Sequence, residues 1–295
     1  CGFPGFLSFL ASSDQKAGRS SRREVPQMRF KAELFDPEAL ISILASLEKV
    51  SNEITLVLEP ENVHFRISRN SLSEENAFVQ IPTEAMFDEY KIESKNNNII
   101  GLAIRASNLI ASIRTGKRSQ RIVVKLSKKD RQPCLKIEMV MDNNEITQDV
   151  PVTLLNKRQI QETAEPSLPD PEVKIQLPET LKNVISNMKS VSDDVLLSAT
   201  SSGDMSVQVS AELVTIKTYF KELKGFESTE DATSGIETGR CRMNIRKLSQ
   251  VLNSKIVNLS NYIVGCIVES HAFVVYVELG QNMGHATFYL PVLTV

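Results

Sequence analysis

The chain has 295 residues, of which 41% are hydrophobic and 24% charged, with a formal net charge of −2 and a pI near 6.1. This is the composition of a globular protein with room for two domains, and it excludes a surface coated in basic charge. No apolar run reaches the roughly eighteen residues that cross a bilayer, so no membrane partner is expected.

Residues 1–27 stand apart. An apolar CGFPGFLSFLA is followed by a Ser/Arg-rich stretch, the reverse of the order in a secretion signal. They are expected to form a disordered N-terminal extension ahead of Met28. From there MRFKAELF alternates as a strand. Asp36-Pro37 reads as a cap and first turn. Leu40, Ile43, Leu44 and Leu47 follow at helical spacing, and strands are predicted at 54–58, 63–67, 77–81 and 86–92. A second round opens with a strand at 99–104 and a helix at 105–114 ended by Gly116; strands at 121–126, 134–141 and 145–154 come next.

The stretch EPSLPDPEVKIQLP, 165–178, carries Pro166, Pro169, Pro171 and Pro178. Proline fixes φ and removes a donor, so 165–171 is predicted as a stiff, extended surface crossing. It separates two near-equal halves, 28–154 and 172–295, with 155–171 as connector. The second half repeats the pattern: a strand at 173–177, a helix from 179, strands at 195–200, 205–209 and 213–220, and an acidic loop at 225–239. Then come a strand at 240–245, a helix at 246–254 and strands at 262–268, 273–279 and 285–291. Helices thus begin near 37, 105, 179 and 245, roughly 67 residues apart within each half, which marks an internal repeat. Sequential strands with few helices predict an α+β fold, its antiparallel sheets backed by helices on one side.

The chain is slightly acidic, yet three of the four helical regions are basic. The second contributes Arg105, Arg114, Lys117, Arg118 and Arg121; the third Lys182 and Lys189; the fourth Arg246, Lys247 and Lys255. Scattered surface cations are common, but their recurrence on equivalent helices favours contact with a phosphate backbone. No aromatic residue interleaves with them, so single-strand stacking is not indicated, and no helix offers a base-reading set.

Catalytic chemistry is not expected. His64, His271 and His285 lie far apart in or beside strands, and GxSxG, HExxH and P-loop motifs are absent. Cys1, Cys134, Cys241 and Cys266 lack CxxC spacing, and the last three sit in apolar, strand-like contexts that read as buried reduced thiols. No cofactor and no metal are predicted.

The doubled strand–helix–strands units, basic helices and extended connector resemble the sliding-clamp fold of PCNA. MRFKAELF, EPSLPDPEVKIQLP, AELVTIKTYFKEL (211–223), NIRKLSQVL (244–252) and FYLPVL (288–293) resemble more narrowly the HUS-type subunit of the checkpoint (nine-one-one) clamp. The resemblance covers 28–295. It implies a nuclear, non-enzymatic subunit that joins two RAD-type subunits in a heterotrimeric ring. A clamp loader would place that ring on double-stranded DNA at damage, without sequence specificity, for repair and checkpoint proteins. It further implies two similar domains, with the four helices on the inner face and the basic residues above meeting DNA. Ring closure would use edge strands carrying Ile146, Val150 and Val152 in one half, and Leu213, Thr215, Lys217 and Tyr219 in the other. Partner peptides would dock near Pro166, Leu168 and Pro169 and near Pro291 and Leu293. A homotrimeric replication clamp and a tandem-domain scaffold without DNA binding are the alternatives.

Overall fold

The computed structural model describes residues 28–69, 71–142, 144–226, 238–268 and 270–293. The predicted extension, 1–27, and most of the predicted acidic loop lie outside these residues.

The first half runs β1 (Arg29–Leu34), α1 (Pro37–Val50), β2 (Glu53–Leu58), β3 (Asn62–Ile67), β4 (Asn76–Pro82), the short α2 (Thr83–Met86) and β5 (Phe87–Glu93). It continues with β6 (Ile100–Arg105), α3 (Ala106–Thr115), β7 (Arg121–Lys129), β8 (Gln132–Val140), β9 (Glu145–Pro151) and β10 (Thr153–Leu155). After α4 (Lys157–Glu162) come β11 (Val173–Gln176), α5 (Leu181–Met188), β12 (Asp194–Thr200), β13 (Met205–Ser210) and β14 (Thr215–Phe220). The last elements are β15 (Thr238–Asn244), α6 (Ile245–Leu252), β16 (Ser260–Val268), β17 (Ala272–Leu279) and β18 (His285–Pro291).

Local chemistry sets the helix starts. The Asp36 carboxylate accepts from the N–H groups of Glu38 and Ala39 at 3.0 and 2.9 Å, with Pro37 in the first turn. Asn244 caps α6 in the same way. Helix α3 has no cap of its own; the Asn52 side chain and carbonyl accept from Ser107 and Ala106 instead. Gly116 does follow α3, but at a φ of −87°, open to any residue. Space is what requires glycine there, since a Cβ would stand 2.6 Å from Met139 Sδ.

Each opening strand is exchanged between repeats. In the first half β6 pairs with β2 of the block β2-β3-β4, while β1 pairs with β7 of β7-β8-β9. The second half does the same: β15 joins β12-β13-β14 and β11 joins β16-β17-β18. The halves then meet edge to edge through β4 and β18, over five register pairs from His285↔Gln80 to Tyr289↔Asn76. The result is a nine-stranded sheet, β10-β6-β2-β3-β4-β18-β17-β16-β11, flanked by a five-stranded and a four-stranded sheet. One buried cluster runs through both halves, from Phe30 and Leu44 to Leu248 and Phe288.

Several expected boundaries move. The single strand expected at 145–154 is two, because Val152 turns inward and the chain passes from the five-stranded sheet (β9) to the nine-stranded one (β10). The strand expected at 213–220 begins at Thr215, and Leu213 stands in the preceding turn, 95% exposed. Helix α5 begins two residues later than expected and ends at Met188, leaving Lys189 as its cap. The connector contains α4 in its first part, for which no element was expected, while 165–171, expected to be extended, lies outside helix and strand.

Candidate nucleic-acid interface

Helix α1 packs on α3, and α5 on α6. The two pairs touch where Gln250 Nε2 donates to the Lys49 carbonyl at 2.8 Å and the Ile256 N–H donates to the buried Ser46 Oγ at 3.0 Å. The helices therefore form one continuous layer in the order α3-α1-α6-α5, on the core side of the nine-stranded sheet.

Of the predicted cations, Arg114 lies on α3 and Lys182 on α5, with Arg246 and Lys247 on α6. Arg105 ends β6 as the residue before α3, Lys117 and Arg118 follow α3, Lys189 caps α5 and Lys255 follows α6. All are exposed except Lys247, which is half-buried. Arg121, grouped with the cations of the second helical region and expected to open the strand at 121–126, stands on a sheet and not on the helix layer. It lies on β7, where its Nε donates to Glu33 on β1 at 2.7 Å across the sheet. Lys117 pairs with Glu38 at 3.0 Å and Arg246 with Asp193 at 2.9 Å, but these side chains are largely exposed and such pairs exchange readily for other anions. Arg105, Arg114, Arg118, Lys182, Lys189, Lys247 and Lys255 form no ion pair among the described residues. Exposed Asn108, Asn183, Asn187 and Asn253 stand among them as further hydrogen-bond donors. The layer is basic at α3, α5 and α6, and near-neutral at α1, which exposes Glu38, Glu48 and Lys49.

The predicted edges are outermost strands: β9 ends the five-stranded sheet and β14 the four-stranded one. Their side chains differ in availability. Val150 and Val152 are buried and Ile146 packs partly on the core, whereas Thr215, Lys217 and Tyr219 are exposed.

The connector crosses the sheet face opposite the helices. Arg66 on β3 donates to the Ile160 carbonyl at 3.4 Å, and Tyr289 on β18 donates to the Glu165 carboxylate at 2.7 Å, so both halves hold it. Leu168 packs with Leu72 on a second apolar cluster of Phe78, Val268, Ala272, Val274 and Tyr289. Leu168 is thus half-buried against its own sheet, Pro166 is half-buried and Pro169 exposed. Pro291 ends β18, and the Leu293 N–H donates to the Arg242 carbonyl at 2.7 Å, tying that segment to β15. Sequence reading missed α4 and this cluster. The first had a signal, since Asn156 and Gln159 form a capping box at the spacing that defines one.

His64 lies on the same outer face, in one row with Gln80 and His285. Burial, and then Arg66, hold its imidazole below the usual histidine range, while Glu59 at 3.4 Å opposes them. Between the folded and unfolded pKa values the unfolded chain binds the extra proton, so stability falls as pH drops below about 6.5. Urea titrations at pH 7.5 and 5.5 should show this loss, and His64→Gln should flatten it by up to ~1.4 kcal/mol per pH unit. An unchanged slope in the variant would assign the acid sensitivity elsewhere. Cys134 and Cys241 are buried and Cys266 partly so, all three without disulfides; burial pushes Cys266 up to about 11, and such thiols are poor nucleophiles. Among the described residues no group of three or more His, Cys, Asp or Glu could hold a metal ion, and no helix is long and apolar enough to span a membrane.

A family model described as Hus1-like protein matches residues 28–294. The chain is 27% identical over 285 residues to Checkpoint protein hus1 of Schizosaccharomyces pombe, covering 89% of this chain and 98% of that protein. It is 26% identical over 287 residues to Checkpoint protein HUS1 of Homo sapiens, covering 90% and 100%. Among solved structures it is similar to PCNA from Thermococcus kodakaraensis, with a TM-score of 0.65 at 17% identity over 90% of this chain and 100% of that one. It is also similar to Proliferating Cellular Nuclear Antigen from Entamoeba histolytica, with a TM-score of 0.70 at 12% identity over 90% and 99%. The expected α+β, PCNA-like architecture is the one observed.

Proposed function

Because this chain belongs to the Hus1-like family, we propose that it is a non-enzymatic subunit of a heterotrimeric checkpoint clamp that encircles double-stranded DNA. In this reading, residues 28–154 and 172–295 act as the two clamp domains, joined by the connector 155–171. The neighbours are two RAD-type subunits, which pair with the β9 and β14 edges. A clamp loader opens and closes the ring in the nucleus, and repair and checkpoint proteins dock on its outer face.

The observation that carries the reading is the continuous helix layer, with its unpaired cations set on one side of a slightly acidic protein. A duplex carries about one negative charge per 1.7 Å of axis, so a layer of mobile lysines and arginines meets phosphate at any rotation or register. Contacts of this kind hold without reading sequence. Ring closure supplies retention, which lets each phosphate contact stay weak enough for sliding. The peptide-docking role of Pro166, Leu168, Pro169, Pro291 and Leu293 is proposed with one structural condition. Leu168 must first leave the apolar cluster that it covers.

Light scattering on the purified chain, alone and mixed with the two RAD-type subunits, tests the assembly. An equimolar three-chain complex that threads onto circular duplex in the presence of a loader is the expected result. A chain that joins neither subunit would remove the heterotrimer and leave the fold.

A further inference from the structure

A row of rings crosses the outer face of the nine-stranded sheet. Tyr262 stands opposite Glu278, Glu278 opposite His285 and His285 opposite Gln80. Opposite residues of antiparallel strands share a face, as do residues two apart on one strand. Tyr262, Tyr276, Glu278 and His285 therefore face outward together with Tyr289, which holds the connector. The rings follow the order of their strands. Phe226 lies beside β11, its N–H donating to the Lys174 carbonyl at 3.1 Å; Tyr262 is on β16, Tyr276 on β17 and His285 on β18.

The outer pairs are stacked. Phe226 and Tyr262 have ring centroids 6.5 Å apart with 27° between their planes, and Tyr276 and His285 are 5.4 Å apart at 25°. The inner pair, Tyr262 and Tyr276, makes no ring contact among the described residues. These two tyrosines occupy diagonal corners of a square whose other corners are Glu278 and Val264. Diagonal neighbours across an antiparallel pair stand about 7–8 Å apart. That separation lets one flat group lie between two rings with carbon contact of about 3.5–4 Å on each side. Buried Val264 gives this slot an apolar floor. Its charge is negative. A hydrogen bond to Glu278 pushes the Tyr262 hydroxyl above the usual tyrosine range, and burial, then Glu278 and Glu165, do the same for Tyr276. Glu278 forms no ion pair among the described residues. Lys224 stands at the far end of the row, 5.4 Å from the Phe226 centroid.

We propose that the slot between Tyr262 and Tyr276 binds the guanidinium of an arginine on a partner peptide. The guanidinium is flat, weakly hydrated and permanently charged, and it stacks on aromatic faces. Its edge carries a fork of N–H donors that matches a carboxylate, here Glu278. A primary ammonium would satisfy Glu278 without filling the space between two rings. An aromatic ring would fill that space but leave the carboxylate desolvated and unpaired. Phe226 and His285 prop the two tyrosines from behind, so little side-chain ordering is left for the ligand to impose. The site needs neither ring closure nor DNA, and it lies on the face away from the helix layer.

Fluorine NMR on the full chain labelled with fluorotyrosine tests this. The chain has five tyrosines, and Tyr262→Phe and Tyr276→Phe assign the two signals of the slot. The probe is a capped Gly-Gly-Arg-Gly-Gly peptide. Both slot signals are expected to move together and saturate. The Tyr219 signal should stay in place, since its ring already carries Lys217 at 4.8 Å. The same peptide with citrulline, which keeps the shape of arginine but not its charge, should bind about 10-fold more weakly, and Glu278→Gln should weaken the arginine peptide by a similar factor. Undisturbed signals from the other tyrosines show that the variant folds. Slot signals that never saturate, citrulline that binds as well as arginine, or Glu278→Gln without effect would each overturn the proposal. Tighter binding of a trimethyllysine peptide would overturn it too, by assigning the slot to a methylated lysine. Because the chain is tested alone, none of these outcomes bears on the assembly of the clamp.

Discussion

Replacing Arg114, Arg118, Lys182 and Lys189 together with alanine is expected to weaken binding of the assembled protein to duplex DNA by roughly 100-fold near physiological salt. Each phosphate contact removed lowers the slope of log affinity against log salt by about 0.9, so four should lower it by about three to four. These four residues lie at both ends of the helix layer, on or directly after α3 and α5, and none is paired with a carboxylate among the described residues. Fluorescence anisotropy on linear duplex across a salt series reads the effect directly. The matched control is a row of four lysines on the outer face of the five-stranded sheet. Lys91, Lys31, Lys125 and Lys136 stand side by side across β5, β1, β7 and β8. Changing those four removes the same charge from the opposite side. Equal losses from the two sets would mean that net charge, and not the helix layer, meets the DNA.

Gly284→Ala is expected to cost on the order of 3 kcal/mol or more in unfolding free energy. Gly284 has a φ of +83°, and a Cβ there would stand 2.1 Å from the Gln80 carbonyl oxygen and 3.1 Å from Pro82 Cδ. Both neighbours belong to β4, so neither can step aside without parting β4 from β18, the seam that joins the halves. Urea unfolding followed by circular dichroism measures the loss. Gly280→Ala is the comparison, since its nearest neighbour is the Asn261 side chain at 3.1 Å, which can rotate. If Gly284→Ala cost no more than Gly280→Ala, the seam would be looser than its packing indicates.

Much of this architecture is legible in the residues because local signals and burial agree. Asp36-Pro37, the 40-43-44-47 spacing and the alternation in 63–67 and 205–209 each specify one element, and burial follows the same period. What stayed hidden depends on contacts distant in sequence. Nothing local shows that β1 joins β7, or that residues 145–155 leave one sheet for another at Val152. Alternation continues through that break, the buried Val152 included, and only the change of partner strand from β8 to β6 marks it. The cations were legible as residues, but Arg121, the first residue of a predicted strand, was grouped with the helical cations by proximity in the chain. Its salt bridge to Glu33 depends on the β1–β7 pairing, which no window around residue 121 contains. Leu168 read as exposed among prolines for the same reason, since Phe78 and Val274, on which it packs, lie about a hundred residues away on either side.

The seam between β4 and β18 also sets a schedule for synthesis. β4 is complete by residue 82, whereas β18, which covers its free side, spans residues 285–291. At about 5–20 residues per second, the first half waits some 10–40 s with β4 as an open edge. That edge is NAFVQIP, apolar toward both faces, with Phe78 on one and Val79 on the other. An unpaired strand of this kind is a template for a strand of another nascent chain. The hazard in making this protein is therefore concentrated before β18 emerges, and a chaperone that shields residues 76–82 during that interval would raise the yield of folded chain.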